Sequence, residues 1–153
     1  MLLALLVAAR AWRHSVPTTR QRSTRQEQLG WLHQGLALVK QQHFDEAIRC
    51  YQQAFGADPD IAEVAHHNVA SLLAWQGRHS EAVPMFEEAL RINPRSVDVH
   101  VGLAQSLAAL HRPEDAAGEY AEANRLDPQR AEARRRAGLQ LIQADVVSGK
   151  SGN

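Results

Sequence analysis

Eight histidines and one cysteine are the side chains of this 153-residue chain best suited to holding a metal or carrying a nucleophile. A metal needs three or four such groups converging at ligand spacing. His66 and His67 are adjacent, so they leave a helix in different directions, and no carboxylate or cysteine set accompanies them at ligand spacing. His43, His79 and His111 fall in turn-like segments, where solvation accounts for them. Cys50 has no partner for an internal disulfide. No Gly-rich phosphate loop, His-Glu-x-x-His or Gly-x-Ser-x-Gly is present. The chain is therefore expected to be no enzyme, with no catalytic residue, no metal and no cofactor, and its chemistry should be noncovalent recognition.

What would position recognition residues is a repeat. Prolines at 59, 94 and 128 close the similar stretches "AFGADPD", "ALRINPRS" and "ANRLDPQR", at spacings of 35 and 34. A fixed period of this length is the mark of a stacked array. In register with the prolines stand Ala47, Ala82 and Ala116, then Tyr51, Phe86 and Tyr120 four residues on, then Ala54, Ala89 and Ala123 three further on. Those intervals place small, aromatic, small along one helix face. Each block begins with a second stripe: Trp31, Gly35, Leu38; His66, Ala70, Leu73; His100, Ala104, Leu107. "KQQH", "QGRH" and "LHRP" divide the two stripes, so every block reads as two amphipathic helices and a short turn. The composition agrees, being only 5% aromatic and rich in alanine and leucine, which form helices that can approach closely.

These residues resemble the tetratricopeptide repeat, with an aromatic, a small residue four places on, an apolar one, then Ala, an aromatic, Ala and a closing Pro. The first block matches best, through Trp31, Gly35, Leu38, Ala47, Tyr51, Ala54 and Pro59. Gln34, His66 and His100 depart from the pattern, and residue 62 is one extra between blocks. The resemblance implies an all-α, right-handed α-solenoid of three helix-turn-helix repeats, 28–61, 63–96 and 97–130, plus a C-terminal capping helix at about 129–144. The whole array spans 24–144, and 145–153 form a tail.

Local signals fit this register. Thr24 and Glu27 form a capping-box pair at the first helix. Ser96 is expected to cap the helix opening the third repeat, and Pro113 suits the first turn of the helix it begins. Pro84 lies deeper in its helix and should delay its start or distort it. Gly35, Ala70 and Ala104 should sit at the closest helix crossings, beside Tyr51, Phe86 and Tyr120. His66 and His100 should be partly buried packing residues. Ala133, Ala137, Leu139 and Ile142 should cover the last repeat, with Arg134, Arg135 and Arg136 facing water.

In the family, the first helix of each repeat lines a concave groove that receives a partner's peptide. Helical periodicity puts Leu29, Leu32, Leu36 and Val39 there from the first repeat, Val64, His67, Asn68, Ser71 and Trp75 from the second, and Asp98, Val101, Gln105 and Ala109 from the third. One subset of the family clamps the C-terminal carboxylates of chaperones with Lys, Asn, Asn, Lys and Arg. The corresponding places hold Leu32, Leu36, Asn68, Asp98 and Gly102, so only Asn68 matches, and a carboxylate clamp is not expected. Residues 27–128 carry fifteen acidic against seven basic residues, a net of −8, which repels nucleic acid. The expected partner is a protein or peptide segment, neutral or basic, with apolar anchors. The alternative is an accessory or regulatory subunit that docks onto an enzyme or assembly complex; an RNA-binding helical repeat fits the charge least.

Residues 1–23 form a leader that is apolar first and then Arg-rich. "MLLALLVAA" would make about 14 Å of helix at 1.5 Å per residue, against a bilayer core of about 30 Å. It cannot span alone. With five arginines and no acid before residue 27, it reads as a short anchor whose basic flank stays cytoplasmic, as a segment lying on the membrane surface through residues 1–13, or as a signal or transit sequence. Membrane association facing the cytoplasm is the favoured expectation.

Overall fold

Thr24 opens the first helix by the reciprocal capping its sequence calls for. Its backbone N–H donates to Glu27 Oε2 at 2.8 Å, and the Glu27 N–H donates to Thr24 Oγ1 at 3.3 Å. The computed structural model describes residues 24–56, 58–132 and 134–136. The leader and the tail, together with Ala133, Ala137, Leu139 and Ile142 of the expected cap, lie outside the described residues.

Six helices follow in order: α1 Arg25–Lys40, α2 Phe44–Gln52, α3 Pro59–Trp75, α4 His79–Ile92, α5 Val97–Ala109 and α6 Pro113–Leu126. Residues 128–132 and 134–136 are helical again, and there is no strand among the described residues. Each helix packs on its neighbour in sequence, giving three hairpins. The first helices also touch one another, α1 on α3 and α3 on α5, whereas α2, α4 and α6 make no close approach to each other among the described residues. An array joined along one row and splayed along the other is an α-solenoid, in which each pair buries its apolar face only by stacking.

The turns inside the hairpins share one geometry. Gln42, Gly77 and His111 have φ of 64°, 76° and 59°, at the same spacings of 35 and 34 as the prolines. At each, two backbone bonds close the preceding helix: Gln42 N to Val39 O and His43 N to Leu38 O, both 2.9 Å; Gly77 to Ala74 at 3.0 Å and Arg78 to Leu73 at 2.8 Å; His111 to Ala108 at 3.1 Å and Arg112 to Leu107 at 3.0 Å. This pairing around a left-handed residue is the Schellman motif.

The core follows the repeat. Ala47, Ala54, Ala82 and Ala89 are fully buried, and Tyr51 and Phe86 are the largest buried side chains. Tyr120, the third aromatic, is only half-buried. A Cβ added at Gly35 would lie 2.7 Å from Tyr51 Cδ1, and one at Gly102 2.7 Å from Phe86 Cε1. Each aromatic therefore fills space that a glycine leaves. A second cluster, Val97, Val101, Ala123 and Ala131, joins the third repeat to the helical residues after Pro128.

Several local expectations need correction. Pro59 and Pro128 each stand at the first position of the following helix, where a missing N–H costs nothing, and only Pro94 lies in an intervening turn. Ser96 makes no capping bond to its own helix; its hydroxyl lies against the Glu63 carboxylate of α3. Pro84 neither delays nor breaks α4, which begins at His79 and runs through it. It stands on the exposed face, where water can serve the carbonyl left without a donor.

Candidate functional site

Each first helix carries two buried faces. One meets its own second helix through Gly35, Ala70 and Ala104, of which the two alanines are fully buried. The other meets the next first helix, and this second stripe corrects the expected groove. Leu32 is 8% exposed and Val101 1%, so neither is a surface residue. Leu32, His67 and Val101 occupy the same place in successive repeats, against the next helix of the row. Val101 is sealed by Ala131.

The other expected residues divide by exposure. Leu29, Leu36, Val64 and Trp75 are exposed, at 38%, 48%, 38% and 56%, and Ala109 is exposed as well. Val39, His67, Asn68, Ser71, Asp98 and Gln105 are half-buried. The apolar surface of the first helices is thus concentrated on α1 and α3. Trp75 is anchored at one edge by Phe44, the ring centroids 4.5 Å apart, which restrains the indole and leaves over half of it open.

The third repeat contributes charge already spent within the chain. Arg130 donates from Nε and Nη2 to Asp98 Oδ1 and Oδ2, at 3.2 and 2.6 Å, and Arg134 stands 3.7 Å from the same carboxylate. The bonded Arg130 guanidinium holds the Asp98 carboxyl below the usual range against the opposing effect of burial. The arginines that pair Asp98 lie about a full repeat later in the chain. Arg25 and Asp58 make a similar link, 2.6 Å, between α1 and the start of α3.

His66, His67 and His100 are packing groups. His66 is 9% exposed and stacks on Phe55 with centroids 3.8 Å apart. Burial pushes its pKa down, with Glu88 opposing. His67 shifts the same way, first by burial and then by Arg134. His100 places Nε2 3.0 Å from the Pro94 carbonyl and Nδ1 2.6 Å from Glu119 Oε2. Among the described residues, no three His, Cys, Asp or Glu side chains converge as metal ligands, and no helix is long and apolar enough to cross a membrane.

Two tetratricopeptide repeat models match the chain, over residues 28–61 and 73–138. Among solved structures, the first tetratricopeptide domain of Spaghetti (RPAP3), bound to the HSP90 peptide SRMEEVD, is similar with a TM-score of 0.67 and 25% identity, covering 81% of this chain and 97% of that one. The MamA D159K mutant 2 is 30% identical with a TM-score of 0.58 over 64% of this chain and 53% of that one, so the chain spans about half its length. The Hsp90 co-chaperone Cns1 from Saccharomyces cerevisiae, at 21% identity and TM-score 0.64 over 82% of this chain and 43% of that one, shares the fold. No curated protein matches.

Proposed function

The chain belongs to the tetratricopeptide repeat family of protein-interaction scaffolds, and we propose that it binds a partner's peptide segment along the row of first helices. The observation that carries this reading is the exposure of Leu29, Leu36, Val64 and Trp75 on α1 and α3. Large apolar side chains gathered on one surface of a folded array mark contact with another molecule. Asn68 and Ser71 on α3 and Gln105 on α5, all half-buried, supply groups for a bound segment's backbone, and Val39, His67 and Asp98, half-buried on the same row of first helices, complete the groove.

The partner is a neutral or basic segment with apolar anchors. The Spaghetti domain holds an acidic chaperone peptide, but at the places of the carboxylate clamp this chain has buried Leu32, apolar Leu36, paired Asp98 and Gly102 packed on Phe86. None supplies a free cation. Residues 1–13, nine of them an apolar run followed by basic residues, hold the scaffold at a membrane.

Affinity capture by the full chain from membrane and soluble fractions, compared with capture by Leu36→Glu, tests the reading. The expected result is a partner recovered from the membrane fraction by the wild type and lost with the variant, while SRMEEVD added in excess fails to displace it. Equal recovery by a folded Leu36→Glu protein overturns the site; competition by SRMEEVD overturns the partner class.

A further inference from the structure

The leader joins the array at the end where the row of first helices begins. Residue 23 meets Thr24, the N-cap of α1, and the start of α3 lies beside it. Arg25 pairs with Asp58 across 2.6 Å, and the Asp58 N–H donates to Gln28 Oε1 at 3.4 Å. From this end the exposed apolar residues run along two adjacent stripes. Leu29 and Leu36 are seven residues apart and Val64 and Trp75 eleven, intervals that return to one helix face after two and three turns. The longer stripe covers about 17 Å. It does not continue into the third repeat, where Val101 is 1% exposed, so the open apolar surface is confined to the two repeats nearest the leader.

The leader matches this surface in length and in charge. Residues 1–9 are apolar without a break, about 14 Å even as a helix. The ten residues 14–23 reach at most about 33 to 36 Å, enough to lay the apolar run over either stripe. Residues 1–23 carry Arg10, Arg13, Arg20 and Arg22 and no acid. Glu27 and Asp60, both exposed at the end where the leader departs, have no ion-pair partner among the described residues, and residues 27–128 carry a net of −8. Opposite signs on tether and array favour the contact and set its direction.

We propose that residues 1–13 occupy the apolar face of α1 and α3 in their own chain whenever no membrane is at hand. This rests on the first-helix site described above and names what covers it before a partner arrives. A short connection gives an effective concentration on the order of millimolar, so a contact with a Kd of about 1 mM in trans is about half formed in cis. Membrane and groove draw on the same leucines, so each excludes the other. A bilayer that takes up the leader opens the row, and partner binding is thereby coupled to the membrane.

The test compares the 15N-labelled full chain, free of lipid, with a variant combining Leu2→Ser, Leu3→Ser, Leu5→Ser and Leu6→Ser. The amides of Leu29, Leu36 and Val64 and the indole N–H of Trp75 should move, those of α2, α4 and α6 should not, and dilution should leave the difference unchanged. Arg20→Glu with Arg22→Glu, or added salt, should move the same signals part of the way. Leu36→Gln, remote from the leader in sequence, should bind vesicles of phosphatidylcholine and phosphatidylglycerol about twofold more tightly than the wild type, because the closed half of the molecules is released. Unmoved α1 and α3 signals, or vesicle binding by Leu36→Gln that is equal or weaker, overturn the proposal. Differences that fade on dilution assign the surface to a second copy and overturn it as well. Unmoved signals with partner capture still lost in Leu36→Glu would leave the first-helix site standing without this occupant. Moved signals with capture unchanged in Leu36→Glu would remove the partner site and keep the leader's.

Discussion

Tyr51 occupies the place of the side chain that Gly35 lacks: its Cδ1 and Cζ would each lie 2.7 Å from a Cβ built on Gly35. The ring is 1% exposed and has no room to withdraw. The helix crossing of the first repeat is therefore set by a pair, a bare backbone on α1 and an aromatic on α2. Gly35→Val should destabilise the fold by about 1 to 3 kcal/mol, the usual cost of overpacking. Urea unfolding at constant m-value checks it; an unchanged midpoint would mean that the two helices are free to separate.

The three hairpin turns predict opposite effects for glycine. Gln42 and His111 adopt the left-handed conformation that Gly77 adopts at the equivalent place, and a side chain there costs roughly 1 to 2 kcal/mol. Gln42→Gly and His111→Gly should each raise stability by about 1 kcal/mol, less the entropy glycine adds to the unfolded chain. Gly77→Ala should lower it by a similar amount. Thermal midpoints of the three variants decide the matter, and a loss on Gln42→Gly would show that the glutamine side chain makes up for its strain.

Burial of His66 and His67 couples stability to pH. Both pKa values lie below that of an exposed histidine, chiefly through lost solvation, and His79 shifts in the same direction. The unfolded chain therefore takes up protons first as pH falls below about 6.5, so this contribution is full above that pH and is lost as pH drops toward the folded values. The urea midpoint should fall between about pH 7.5 and about pH 5. His66→Phe with His67→Leu, residues suited to the places of Trp31 and Leu32, should flatten the slope. The same slope in the double variant would place the titration elsewhere.

What the sequence made legible was local. The hairpin turns and the Thr24 capping box each depend on residues a few positions apart, the period only repeats such local patterns every 34 to 35 residues, and each is present in the structure. The left-handed residues at 42 and 111 were not legible, because glycine marks only the middle turn. Ser96 looked like a cap because its distant neighbour Glu63 is invisible along the chain. The pairing of Asp98 is hidden for the same reason, its arginines lying 32 and 36 residues away. Periodicity identifies an apolar stripe without saying how many neighbours a helix has, and first helices with two neighbours bury Leu32 and Val101 as well.

That corrected register yields a direct comparison between two leucines four residues apart. Leu32 is 8% exposed within the core and Leu36 is 48% exposed. A glutamate at 32 would bury a charge with no partner against α3, so Leu32→Glu should cost several kcal/mol, about 3 or more, and leave little folded protein. Leu36→Glu places the same charge in water and should change stability by no more than about 0.5 kcal/mol. Circular dichroism melts of the two variants measure this without any partner in hand. If both variants fold as well as the wild type, Leu32 faces solvent and the first helices do not stack through it; if both fail, Leu36 is core and the proposed binding row loses its most exposed leucine.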